Sequence, residues 1–319
     1  MSNRRGVALL AALWLVVAIA TLALSFSLEA RERRTIGILA SERGMQRAAA
    51  MGALALTEAK LDYALRVAPS GANIARLRAS DPWLDVDSLY SGTVYVDSVP
   101  VDVVARDLGE KLNVNQMTEN DLRTFFSYLL GDYTKATQLS QTIMDWRDAD
   151  SIPRPQGAEH DEYIKAEMLA LPTNSQFRDI EELRNVMGMT PEIYAAAAPY
   201  LTTHGAGIVN INTAPIPVLR ALPGMTDALI NEIIMMRSQG RRIDNLAGIT
   251  QGRGGRQPPG QLSQAQLQGA LNGRVAYQTT EVELQFTSRV GPQAQPSKLT
   301  VVLRRPTGTS GSTISYKQW

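Results

Sequence analysis

The stretch "DWRDADSIPRPQGAEHDE" places Asp145, Asp148, Asp150, Glu159, Asp161 and Glu162 within 18 residues, with Arg147, Arg154 and His160 only partly offsetting them. Carboxylates are hard oxygen donors, and several of them on one loop rich in Pro and Gly suit Ca²⁺. The D-x-D-x-D-G spacing of an EF-hand and its closing glutamate are missing, so such a site would be of another design. The plain alternative is a solvated acidic loop that holds no ion. Asp145 and Asp148, three apart, also have the spacing of paired catalytic acids, but the sequence offers them no recognisable partner group. A nucleophile elbow and a Walker loop are absent, and the glycines of "QGRGGR" follow no strand-and-helix context for phosphate binding. The sequence therefore points away from an enzyme, with a hydrolase as a third reading. There is no cysteine, and His160 and His204 are the two histidines, which removes thiolate zinc sites and thiol nucleophiles and argues against histidine relays. A formal net charge of +1 argues against a broad nucleic-acid surface.

The elements that must position this loop are helical. Residues 113–272 read as a helical, repetitive block within a chain of 319 residues, long enough for two domains. Leu183, Arg184, Gly188, Met189 and Thr190 recur at an offset of 36 as Leu219, Arg220, Gly224, Met225 and Thr226. A second echo pairs "NVNQMTENDLR" (113–123) with "NINTAPIPVLR" (210–220). These read as helix, tight turn, helix units whose glycines supply positive φ. Thr213 is expected as an N-cap and Pro215 in a first helical turn. The segment around Gly224 resembles a helix-hairpin-helix motif. DNA-binding versions carry a second glycine, so that backbone N–H groups approach phosphate closely. Here the hairpins read Gly-Met-Thr, and Asp227 and Glu232 come before any base, which favours a packing unit without DNA. "TQGRGGRQPPGQLSQAQ" (250–266) reads as a flexible linker by composition.

Strands flank this block. "GTVYVDSVPVDVVARD" alternates Val99, Val101 and Val103 and reads as a strand pair, with Pro100 placing part of it at a sheet edge. Val282, Leu284 and Phe286 alternate in the first of three C-terminal strands, a meander with one apolar face. The two β portions most simply form one sheet, with the helical block inserted between them.

At the N-terminus, residues 7–28 form a run of 22 without a charge, about 33 Å as helix and enough for a bilayer core. No Pro interrupts residues 7–68, and Ala50, Leu54, Leu61 and Leu65 share one helical face, so one long helix is expected. Its first part would lie in lipid and its second on a soluble domain. Arg4 and Arg5 favour a cytoplasmic start, with Arg31, Arg33 and Arg34 as the counter-signal.

Several of these stretches carry a family resemblance. The border "NRRG" followed directly by the apolar helix is similar to a prepilin-type leader, in which a peptidase cuts after the glycine. That implies cleavage between Gly6 and Val7 and makes Ala11 the fifth mature residue, where most relatives carry glutamate. "DWRDAD", "GAEHDEY", "DIEELRNVMGMTPEIYAAAAPYL" and "VNINTAPIPVLRAL" follow in the order and spacing of minor pseudopilin K of type II secretion, which the chain resembles. A tip subunit has no neighbour above it and needs no glutamate at Ala11.

The resemblance implies an α+β pseudopilin fold, a long N-terminal helix on an antiparallel sheet interrupted by a large inserted all-α domain. Its expected parts are a leader (1–6), a transmembrane segment (7–28), a soluble part of the helix (29–68), a sheet (85–112 and 273–319) and the insert (113–272). It implies calcium, one ion or two, with Asp148, Asp150 and Glu159 as ligands and Asp161 or Glu162 next. Implied partners are pseudopilins I and J, through them H, prepilin peptidase, the inner membrane, and the secreted substrate or the outer-membrane channel. The chain would sit in the inner membrane by a single pass, its bulk periplasmic and at the pseudopilus tip. The alternative is a membrane-anchored helix-hairpin-helix receptor for DNA uptake.

Overall fold

With no proline to break it, the N-terminal segment forms one helix, α1 (Asn3–Val67), in the computed structural model, which describes residues 3–67, 83, 90–246, 262–290, 295–305 and 311–319. Its apolar stretch from Ala12 to Leu28 is exposed along its whole length. By length and composition α1 is able to cross a membrane. Further on it acquires one buried face, Gln46, Ala49, Ala50, Ala53, Leu54, Thr57 and Leu61, at helical spacing. The side chain of Leu65, expected on this face, lies outside the described residues.

That face packs on a five-stranded antiparallel sheet of order β1-β2-β7-β8-β9. Strands β1 (Gly92–Val96) and β2 (Val99–Asp107) join through Asp97 and Ser98, both at positive φ, the turn whose twist matches flanking strands. Pro100 faces Tyr95, while the ladder from β2 to β7 (Glu281–Ser288) begins at Val101. The proline, which has no N–H to give, thus stands outside the inner ladder. Strands β8 (Ser297–Arg304) and β9 (Thr313–Gln318) complete the sheet. The alternating residues Val101, Val103 and Ala105, Val282, Leu284 and Phe286, and Leu299, Val301 and Leu303 form one core with α1 and Trp83. Three alanines on α1 let helix and sheet approach closely, and the Ser288 hydroxyl donates to Gln46 O at 3.0 Å, pinning them together.

Between β2 and β7 the chain builds a second core. Its elements are β3 (Leu112–Asn113), α2 (Glu119–Leu130), α3 (Tyr133–Arg147), α4 (His160–Lys165), α5 (Pro191–Ala197), β4 (Leu201–Thr202), β5 (Val209–Asn210), α6 (Ile216–Ala221), α7 (Asp227–Ser238), α8 (Gln264–Leu271) and β6 (Val275–Ala276). The block is not purely helical, because β4 pairs with β3 and β6 with β5 in short parallel ladders. Two further local expectations are corrected. Thr213 does not cap a helix: α6 starts after Pro215, and the Thr213 hydroxyl donates to Asp107 Oδ2 at 2.8 Å instead. The C-terminal end of the expected linker is structured, since Ser263 and Gln266 form a capping box that starts α8. Residues 247–261 lie outside the described residues.

Candidate metal centre

Helix α3 is amphipathic and carries Asp145 and Trp146 inward at its end. Trp146 stacks on Phe177, ring centroids 6.2 Å apart, and leans on Tyr163 at 5.7 Å. These rings anchor both the start of the acidic loop and helix α4 behind it. Asp145 is fully buried and accepts from the backbone N–H of Arg154 at 3.1 Å and from its guanidinium. Arg154 Nη1 also reaches Asp148 Oδ2 at 2.6 Å. The backbone passes directly over this pair: a Cβ on Gly157 would fall 1.9 Å from Asp145 Oδ2, so only glycine fits there. Asp145 and Asp148 are therefore joined by an arginine rather than set out as paired catalytic acids.

The loop brings Asp148, Asp150 and Glu159 together, with one carboxylate oxygen of each within 4.8 Å of the others. Asp150 is held by the backbone N–H of Ile152, which donates to Oδ1 at 2.9 Å, and by Asn174, which donates to the Asp150 carbonyl at 2.5 Å. Glu159 is buried, and among the described residues no donor reaches hydrogen-bonding distance of either of its carboxylate oxygens or of Asp148 Oδ1. Burial first, then the neighbouring charges of Asp145, Asp148, Asp150 and Glu162, push the Glu159 carboxyl up to about 7. Burial likewise raises Asp145, against the opposing pull of Arg154. Buried acceptors left unpaired cost free energy. Three hard oxygen donors converging on such orphaned atoms fit a divalent cation of the calcium type. Asp148, Asp150 and Glu159 would hold it, and its charge would offset their mutual repulsion.

Asp161 and Glu162, the next ligands expected, are not in this group. Helix α4 starts at His160 and turns both along its first turn. Asp161 is exposed beside His160, 3.5 Å away, and Glu162 Oε2 accepts the Glu159 N–H at 3.0 Å. Arg154, expected only to offset the acidic charge, and Gly157, which carries no expectation, both shape the site. The tight Arg-Pro-x-Gly spacing of residues 154–157 is the signal that marks them.

The hairpins take the positive φ expected, +88° at Gly188 and +76° at Gly224. A Cβ on Gly224 would meet Leu262 and Leu267 at 2.7 and 2.8 Å, so this hairpin is packed against side chains at α8. Arg220 on the same unit pairs with Asp227 at 2.5 Å.

The class this defines is an α+β protein with a long, initially apolar helix laid on an antiparallel sheet. A mainly helical block between β2 and β7 carries the acidic trio. Residues 106–205, which include that trio, match the family model described as type II secretion system (T2SS), protein K, and the chain resembles that family. It is 34% identical over 96 residues to the type II secretion system protein K of Dickeya chrysanthemi, covering 28% of this chain and 26% of that one. Against the Pectobacterium carotovorum protein of the same name it is 29% identical over 111 residues, 34% of each chain. The matched segments thus span about a third or less of the length of these curated relatives. In fold, the chain is similar to one in the crystal structure of the GspK-GspI-GspJ complex from the enterotoxigenic Escherichia coli type 2 secretion system. The TM-score is 0.59 at 19% identity, covering 87% of this chain and 97% of that one.

Proposed function

We propose that this chain is a non-enzymatic minor pseudopilin that caps the tip of the periplasmic pseudopilus of a type II secretion system. The observation that carries this reading is the division of α1. Residues 12–28 are apolar and bare, while residues 46–61 are buried on the chain's own sheet. A subunit built so is held in a bilayer by the first part before assembly and packs against neighbouring helices with it afterwards. The helical block, taken as an inserted domain of residues 113–272, adds bulk beside the sheet that a tightly stacked fibre body would not repeat at every level. Ala11 in place of an acid agrees with a position that has no subunit above it. The anchor would lie in the inner membrane, with the remaining chain periplasmic.

Partners follow from the same reading: pseudopilins I and J along α1, H through them, and the secreted substrate or the outer-membrane channel at the exposed block. The test is copurification of the full chain in detergent with pseudopilins I and J. A stoichiometric complex is expected. Failure to form one at any calcium concentration would overturn the tip assignment. Prepilin peptidase would cut between Gly6 and Val7, and intact-mass spectrometry of the membrane-extracted chain should find Val7 as its first residue. An intact Met1, or a cut beyond Leu28, would sink the pseudopilin reading.

The acidic loop is proposed to bind Ca²⁺ through Asp148, Asp150 and Glu159. The ion would supply positive charge that ties the start of the loop to its end, and so stiffen the block. The covered Gly224 hairpin and the Arg220–Asp227 pair support a packing role for the hairpins, with no nucleic acid bound.

A further inference from the structure

The helical block is built twice on one plan, and the copies differ at the acidic loop. In the first unit β3 enters an Asn113-x-Asn115 turn, in which Asn113 Oδ1 accepts the Asn115 N–H at 2.9 Å. Helices α2 and α3 follow, and Arg147, the last residue of α3, turns back to donate to the carbonyls of Val114 and Met117. Asn115 then holds both backbone groups of Phe177, accepting its N–H and donating to its carbonyl, each at 2.9 Å. In the second unit β5 enters an Asn210-x-Asn212 turn, and Asn210 Oδ1 accepts the Asn212 N–H at 3.0 Å. Helices α6 and α7 follow, and Arg237 donates to Ile211 O at 2.9 Å and to Ala214 O at 2.6 Å. Asn212 accepts the Ile243 N–H at 2.9 Å and donates to its carbonyl at 2.8 Å. The return strands β4 and β6 close the two units with the same parallel pairing.

Between arginine and clamped residue the second unit needs five residues, 238–242. The first unit has residues 148–176 in that place, with Asp148, Asp150 and Glu159 among them. Both ends of the acidic loop are thus fastened to a single Asn-x-Asn turn, one by Arg147 and the other by Asn115. Asp148 follows Arg147 directly, and its N–H closes the last turn of α3 on Met144 O at 3.0 Å.

We infer that Arg147 is a positioning residue for the cation site, and that Arg237 is its structural twin without a site. The inference rests on the calcium reading above. The planar guanidinium spans two carbonyls at once, fixing the end of α3 and therefore where the Asp148 carboxylate stands. Lysine keeps the charge but not the fork. A ligand held by its own side chain alone, with its support loosened, drifts by enough to weaken an ion site.

The twin supplies the control. Arg147→Lys, Arg147→Gln, Arg237→Lys and Arg237→Gln are made in the full chain in detergent. For each, the calcium dissociation constant is read by titration calorimetry and the melting temperature is read without calcium. The expected result is a similar loss of calcium-free melting temperature within each matched pair. The dissociation constant rises at least tenfold for the Arg147 variants and stays within twofold for those at Arg237. If Arg147→Gln does not fold, Arg147→Lys carries the comparison. Unchanged affinity in Arg147→Lys, or an equal loss at both arginines, overturns the positioning role while leaving the calcium site standing. A wild-type chain that takes up no calcium overturns the site reading itself, and this inference with it.

Discussion

Stripping calcium from the full chain in detergent at about pH 8 should lower its melting temperature by roughly 5–10 °C, from binding worth about 2.7 kcal/mol at a hundredfold excess over the dissociation constant. The argument starts from the orphaned oxygens. Both oxygens of Glu159 and Oδ1 of Asp148 are buried with no donor among the described residues, and Asp150 adds a third charge within reach. Without an ion, the protein relieves this strain by keeping a proton on Glu159, whose carboxyl rises from 4.5 to about 7. The sign follows from linkage. That bound proton stabilises the ion-free fold fully below pH 4.5, and the contribution is lost as pH rises through about 7. The ion needs the carboxylate, so its contribution runs the other way. The chelator effect should therefore be large at about pH 8 and small at about pH 5.5. Glu159→Gln removes the charge and one ligand oxygen, and should abolish the response to chelator at both pH values without lowering the ion-free melting temperature. Differential scanning of tryptophan fluorescence reads all of these, since Trp146 sits beside the loop. An unchanged wild-type melting temperature with chelator at about pH 8 would end the calcium reading.

Much of this was legible because it depends on local rules. An uninterrupted helical pattern, alternating valines, and glycines at turns all act over a few residues. So α1, β2, β7 and the positive φ at Gly188 and Gly224 could be read directly from the sequence. The trio Asp148, Asp150 and Glu159 was legible as a cluster because its members lie on one loop. Spacing alone does not set Asp161 and Glu162 apart from the trio; the start of α4 at His160 places them along a first helical turn. Arg154 read as a charge that dilutes the cluster. In the fold it sits between Asp145 and Asp148 and leaves one oxygen of Asp148 unpartnered. Helix α8 forms against the linker-like composition of its stretch, because Ser263 with Gln266 supplies a capping box at its start. Thr213 departs from its expected cap role for the opposite reason: its local sequence suits a cap, and a carboxylate far away in sequence recruits it instead.

That carboxylate carries the other large expected effect. Asp107 is the last residue of β2, where the chain leaves the sheet for the helical block. Its buried side chain accepts from the Gly109 N–H at 2.8 Å, Asn210 Nδ2 at 2.6 Å, the Thr213 hydroxyl at 2.8 Å and the Thr279 hydroxyl at 2.9 Å. One acceptor thus joins the exit from the sheet, the second Asn-x-Asn turn and, through Thr279, the return into β7. The packing there leaves no slack, since a Cβ on Gly109 would lie 2.8 Å from the backbone of Asn210. Asp107→Ala strands four donors in a space too tight for their rearrangement, and should cost about 3–5 kcal/mol, or roughly 10 °C in melting temperature. Asp107→Asn keeps the volume and one acceptor oxygen but turns an NH₂ toward donors, so an intermediate loss is expected. Hydrogen exchange separates a junction role from a general loss of stability. In Asp107→Ala the amides of the Asn210 turn and of the paired strands β5 and β6 should lose protection first, while the sheet under α1 keeps its own. A cost below about 1 kcal/mol would mean that apolar packing alone holds the block to the sheet, and that the polar hub at Asp107 adds little to it.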